Sequence, residues 1–214
     1  MSDVLLMKLG KLDKQAICAV QPSFDELKSS NYKDGAYRFR KYSKLAFAKG
    51  QLTVLPSDGF VQTGKLNEFQ GDVLRCYENL SEQTVQSDGF GQICHAFVKA
   101  CNLPSNCQLE VHQMRIIAQD NSTPAEATPE GVHQDGFDFV GVFTIARHNQ
   151  QGGALMLWQH KTDDTPLACV SPEPADYCII NDRTLWHSAS SVSIANKDDV
   201  GYWDLFVVTA NRPN

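Results

Sequence analysis

His133-Gln134-Asp135-Gly136 stands at the head of an apolar, β-prone run, Phe137 to Ile145. Asp135-Gly136 is a turn signal placed directly before a strand. A histidine and a carboxylate two apart point the same way from an extended backbone, because side chains alternate with period two. Both can then grip one metal ion. A third ligand has to come from elsewhere, and the best candidate is His187, in Leu185-Trp186-His187-Ser188-Ala189-Ser190, which also reads as a strand. Two histidines and one carboxylate on one face of a metal leave the opposite positions open, as in the facial triad of non-haem Fe(II) oxygenases. A bare H-x-D is a weak motif, and its plain alternative is a surface histidine beside a turn carboxylate. The same ligand set also serves zinc.

The second half of the chain is strand-dense. Leu109 to Ala118, Phe139 to Ala146, Ala154 to Trp158, Tyr177 to Ile180, Trp186 to Ile194 and Trp203 to Ala210 each read as strands. Gln119 to Thr128, rich in Asn, Ser, Thr, Pro and Ala, reads as a loop placed to cover a site. The first half is mixed. Residues 1 to about 30 look partly helical, with Pro22-Ser23 as a helix start. Ala36 to Tyr42 alternates as a half-exposed strand, and Leu52 to Leu55 is a short one. Residues 64 to 80 read weakly helical. Ile93, Cys94, Phe97, Val98 and Cys101 recur at helical spacing. The expectation is one α+β, mainly β domain over 1–214. Residues 1–105 form a helical and mixed portion, and residues 106–214 a jelly-roll core carrying the metal site. The strand order fits a double-stranded β-helix, cupin-like, with the N-terminal helices packed outside.

Composition narrows the function classes. The formal net charge is -6, and no Lys/Arg stripe is available to neutralise phosphates, which argues against nucleic acid. The basic stretch from Lys33 to Lys49 reads by default as a solvated face. No apolar run is long enough for a membrane helix, and the first residues lack the pattern of a signal peptide. The seven cysteines form no C-x-x-C, so reduced thiols in a cytoplasmic protein are expected.

The segment Pro129 to Trp158, with His133-x-Asp135-Gly136, Arg147-x-Asn149 and Gly152-Gly153, resembles the 2-oxoglutarate/Fe(II) dioxygenase family that includes bacterial L-isoleucine 4-hydroxylase. The likeness extends upstream to Val111-His112-Gln113-Met114-Arg115 and downstream through His187 to Asp204-Leu205-Phe206-Val207-Val208-Thr209. It implies a jelly roll using Fe(II), 2-oxoglutarate and O2, and hydroxylation of a small substrate, free L-amino acids above all, with release of succinate and CO2. Carried over, His133, Asp135 and His187 are the iron ligands. Two features depart from the family pattern: Ala154 follows the Gly-Gly pair where an acidic residue is expected, and neither Trp203 nor Asn211 is arginine.

The distal carboxylate of 2-oxoglutarate needs a cation, and a bidentate guanidinium suits it best. Arg147 is the first candidate, at the end of its strand inside the matching motif. Arg115 and Arg212 follow. Phe137, Phe139, Trp158 and Trp186 are candidates to line an apolar pocket or to be core, with Trp186 the best for the pocket. His112 reads as structural or exposed. A jelly-roll metal-binding or sensor protein without turnover stands as the alternative to an enzyme. A homodimer is left open.

Overall fold

The computed structural model describes residues 5–120 and 125–213 and is mostly β-sheet with few helices. Strand β1 (Met7–Lys11) leads into helix α1 (Lys14–Val20) and a 3-10 turn (Gln21–Glu26). Strands β2 (Arg38–Ala48) and β3 (Gln51–Leu55) form a hairpin, and helices α2 (Glu82–Val85) and α3 (Asp88–Ala100) follow. The remainder is strand: β4 (Asn106–Ala118), β5 (Phe139–His148), β6 (Gln150–Gly152), β7 (Leu155–Trp158), β8 (Ala168–Val170), β9 (Asp176–Asn181), β10 (Trp186–Ala189), β11 (Val192–Ile194) and β12 (Gly201–Ala210).

A seven-stranded sheet runs in the order β1-β9-β5-β12-β4-β2-β3. Two small sheets, β10-β7-β8 and β11-β6, complete a jelly-roll-like arrangement. The N-terminal portion thus supplies three strands of the large sheet as well as the helices. Each small sheet is built from residues after 149.

Strand parity sets the two faces of the large sheet. Tyr42, His112, Val207, Val142 and Cys178 are successive cross-strand partners, so they form one row on one face. This inner face packs against the small sheets, and Met114, Ile116, Val140, Leu155, Leu157, Val192, Trp203 and Leu205 share its core. Residues of opposite parity, Leu109, Val111, Phe139, Phe143, Phe206 and Val208, form the outer core with α1, the 3-10 turn and α3. The helices therefore stiffen the back of the sheet and leave its inner face free for chemistry.

Local sequence explains the outer layer. Ser87 caps α3, its hydroxyl accepting from the Phe90 N–H. Phe90, Ile93, Cys94 and Phe97 then lie on the buried side at helical spacing. Asp13 caps α1 through the N–H groups of Gln15 and Ala16. Among the described residues no helix is long and apolar enough to cross a membrane. All seven cysteines are free, and Cys94, Cys101, Cys107 and Cys178 pack as small buried residues.

Several expectations need correction. β1 was not visible as a strand, because its side chains are mostly exposed and only backbone pairing with β9 defines it. Pro22-Ser23 opens a 3-10 turn. Residues 64–80 hold turns and no helix. The single strand expected from Trp186 to Ile194 is two, broken at Ser190-Ser191, where Ser190 Oγ accepts from the Ala154 N–H and its carbonyl from the Gly153 N–H. The loop expected at 119–128 lies partly outside the described residues.

Candidate functional site

His133, Asp135 and His187 come together, with one ligand atom from each lying within 4.8 Å of the others. His133 and His187 are joined by a β-bridge, each backbone N–H donating to the other's carbonyl at 2.9 Å. That bridge aligns the segment ahead of β5 with β10 of a small sheet. Their rings sit 4.3 Å apart. Gly136 turns the chain immediately after Asp135 at φ 89, a conformation that favours glycine.

Each imidazole presents Nδ1 to an acceptor, through a hydrogen bond at His133 and an ion-pair contact at His187. His133 Nδ1 lies 2.9 Å from the Gly131 carbonyl, and His187 Nδ1 lies 3.3 Å from Asp182 Oδ1. With Nδ1 protonated, Nε2 carries the lone pair that a metal needs. The two Nε2 atoms lie 3.7 and 3.4 Å from the Asp135 oxygens. Asp182 is buried, and its second oxygen accepts from the Gly136 N–H at 2.9 Å. One carboxylate thus ties the H-x-D turn to the second histidine.

The electrostatics favour a cation. Burial opposes a charge on His187, but hydrogen bonding and attraction from Asp135 and Asp182 outweigh it and push the imidazole up to about 10. Burial pushes the Asp135 carboxyl up, and His187 and His133 more than offset this, holding it below the usual carboxylate range. A cluster that draws a proton this strongly has negative charge to offer a divalent ion. Two imidazoles and a carboxylate suit Fe(II), so His133 Nε2, Asp135 and His187 Nε2 fit as its ligands.

The triad opens into a cavity of about 90 Å³ between the inner face of the large sheet and the small sheets. This is smaller than the pockets of drug-sized ligands, which span hundreds of Å³. Trp203, Leu205 and Val207 from β12, Val140 and Val142 from β5 and Leu155 from β7 make its apolar wall. Toward β2 the same face becomes polar and cationic. Arg38 and Arg40 point in from β2, and Arg75 from the segment between β3 and α2.

These guanidiniums are compensated unequally. Arg38 and Arg40 share Asp34 at 3.1 and 3.4 Å. Among the described residues Arg75 is buried with only a neutral acceptor, Gln62 Oε1 at 3.3 Å, and rests over the Phe60 ring at 4.6 Å. Its Nε–H has no hydrogen-bond partner. Gln62 also donates to Asp135 Oδ1 at 3.0 Å and accepts from Asn67 at 3.0 Å, linking Arg75 to the triad. His112 lies on the same wall between Tyr42 and Phe60. Burial, with Arg40 adding to it, drops its imidazole well below the usual range.

The three arginines expected to hold an anion lie elsewhere, and the structure does not bring them to the triad. Arg115 has the outward parity of β4 and makes a bidentate pair with Asp204 at 2.6 and 2.8 Å, with Asp25 as a further partner. Arg147 shares a face with its cross-strand partner Trp203, but at the sheet's end, where it donates to the carbonyls of Pro172 and Gly152. Arg212 is exposed, with its guanidinium 4.9 Å from the Phe139 ring centre. Of the aromatic candidates, Phe137 lines the cavity. Phe139 is outer core, and Trp158 and Trp186 are cross-strand partners away from the cavity lining.

Arg38 and Arg40 are open in the sequence to reaching a substrate, with solvent as the default, and His112 reads as structural or exposed; Arg75 carries no signal there, and the structure lines the cavity with all four. One signal was present: Arg38 and Arg40 share parity on a strand, with Asp34 four residues ahead of Arg38.

A family model described as 2OG-Fe dioxygenase matches residues 21–209. No curated protein matches the chain in sequence. Among solved structures, a bsmA homologue from Methylobium petroleophilum PM1 superposes with a TM-score of 0.77 at 23% identity, covering 92% of this chain and 81% of that one. IDO from Bacillus thuringiensis gives 0.73 at 14% identity, covering 96% and 91%. The Fe(II)/α-ketoglutarate-dependent dioxygenase TqaL gives 0.71 at 12% identity, covering 97% and 82%. At these identities the likeness speaks to the fold.

Proposed function

The chain belongs to the 2OG-Fe dioxygenase family, a non-haem iron enzyme family using Fe(II), 2-oxoglutarate and O2, and from that premise we propose that it hydroxylates a free L-amino acid. We read residues 1–214 as one domain with a double-stranded β-helix at its centre. His133, Asp135 and His187 hold the iron, which with 2-oxoglutarate and oxygen supplies the oxidising power for C–H hydroxylation. The observation that carries this reading is the joining of that triad to a small cavity with a cationic wall.

The protein's own part is placement. Among the described residues Arg75 is the buried cavity guanidinium paired with no carboxylate, so it receives the distal carboxylate of 2-oxoglutarate. Gln62 holds Asp135 and Arg75 in fixed relation. Asp182 and the Gly131 carbonyl keep both imidazoles turned toward one point. The apolar wall excludes water from the position where the substrate's C–H bond would lie. The guanidiniums of the cavity support a substrate that carries a carboxylate.

The test is succinate release from 2-oxoglutarate on adding Fe(II), with ascorbate present, screened across the free amino acids. Stimulation above uncoupled background by one of them identifies the substrate. The His187→Ala variant is expected to lose turnover by several orders of magnitude. Full activity in that variant would remove the triad from the proposal.

A further inference from the structure

Glu130 is a carboxylate that the iron site as described does not use. It lies three residues before His133, lines the same cavity, and its side chain is 9% exposed. Its Oε1 is 3.4 Å from His133 Nε2, and its Oε2 is 3.8 Å from Arg38 Nη1. Oε2 makes no hydrogen bond. Glu130 is also outside the cluster whose ligand atoms all lie within 4.8 Å of one another. A buried carboxylate with an empty acceptor position is costly unless a donor arrives.

The arrangement around it is specific. Arg38 already has a closer partner in Asp34 at 3.1 Å, so its 3.8 Å contact with Glu130 is a loose one. The two side chains stand side by side in the cavity lining, one anionic and one cationic, beside the imidazole that faces the metal position. A head group carrying both charges satisfies each of them at once. An ammonium can donate to Glu130, and an adjacent carboxylate can accept from Arg38.

We propose that Glu130 and Arg38 form the receptor for the head group of an α-amino acid, with Glu130 taking the ammonium and Arg38 the carboxylate. The inference rests on the substrate reading above and makes it narrower: the amino group must be free and protonated. An N-acylated acid offers Glu130 no cation. A 2-hydroxy acid offers it a neutral donor in place of a charged one, and the binding of both is weakened accordingly.

The experiment uses the full chain with Fe(II) and 2-oxoglutarate under anaerobic conditions. Charge-transfer absorption of the iron–2-oxoglutarate complex reports the cofactor site, and its perturbation reports substrate entry. The probes are the L-α-amino acids, each paired with its N-acetyl and 2-hydroxy analogues. At least one amino acid is expected to perturb the band and to bind at least about tenfold more tightly than both analogues. Glu130→Gln, which keeps the side chain's shape, is expected to reduce that preference to within about twofold, and Arg38→Lys to weaken the amino acid and its 2-hydroxy analogue alike.

Equal binding of amine and analogue overturns the proposal, as does a preference that survives in Glu130→Gln. So does a loss of Fe(II) affinity in Glu130→Gln as large as that in a His133→Ala variant, since Glu130 would then be a metal ligand. If the absorption band forms and no amino acid perturbs it, the receptor falls while the cofactor reading stands. If no band forms and no succinate appears, the cofactor reading itself has failed.

Discussion

Asp182 holds both ligand-bearing segments at once. It accepts from Gly136 with one oxygen and faces His187 Nδ1 with the other. An asparagine keeps one acceptor and turns an N–H₂ group toward a ring N–H. Asp182→Asn is therefore expected to weaken Fe(II) binding by about 10–100-fold, the usual effect of losing a ligand's outer partner. A metal-competition titration measures this, with circular dichroism as the check on folding. Unchanged affinity would mean that packing of the strand alone fixes His187. Arg75 gives a second residue-level prediction. Arg75→Ala is expected to raise the KM for 2-oxoglutarate by at least about tenfold, given the ~1.5–3 kcal/mol of a hydrogen bond to a charged group. A KM unchanged in steady-state assays would move the anchor to Arg40, which lines the same cavity. That His133, Asp135 and His187 come together could be read from residue types and spacing. The anion wall could not, because Arg38 and Arg40 sit in a basic alternating stretch that resembles a solvated edge. Only the tertiary pairing of β2 with β4 turns that face inward.

The outer helices show what an element contributes without touching the site. α3 was legible as an amphipathic helix, since Ile93, Cys94, Phe97 and Val98 repeat at its period. β1 was not, since its strand character resides in backbone pairing with β9 and leaves no side-chain pattern. The close approach of α3 to α1 was also hidden. A Cβ on Gly89 would lie 2.2 Å from the Ala16 carbonyl oxygen, so the helices touch backbone to backbone there. Gly89→Ala gains at most about 1 kcal/mol in helix propensity. Forcing the helices apart costs about 1–3 kcal/mol, as overpacking does. A lower urea midpoint with an unchanged m-value is the expected result. Because α3 covers the outer face of the sheet, Fe(II) affinity per folded molecule should stay at the wild-type value. A rise in stability would show that α1 yields without cost.

Three parts of the molecule converge on the triad. His133 and Asp135 lead into β5 of the large sheet, and His187 belongs to β10 of a small one. Gln62, which bonds Asp135, comes from the segment between β3 and α2. Among the described residues few backbone bonds join the H-x-D segment to β10, the His133–His187 bridge being the pair at the site. A divalent ion held by all three ligands adds a tie between the sheets that the unfolded chain lacks. A ligand present at 100 times its Kd stabilises the native state by about 2.7 kcal/mol. For a chain of this size that corresponds to a Tm rise of roughly 5–10 °C, at about 2–4 °C per kcal/mol. Mn(II), which binds without turnover, is the probe. 2-Oxoglutarate should add a further rise only when Mn(II) is present, because its keto acid end needs the metal and its distal end needs Arg75. Differential scanning fluorimetry measures both increments. In Asp135→Ala the metal increment should vanish and the 2-oxoglutarate increment with it. An Asp135→Ala protein that Mn(II) stabilises as fully as the wild type would place the ion elsewhere, and the link between the two sheets would have to be sought in packing alone.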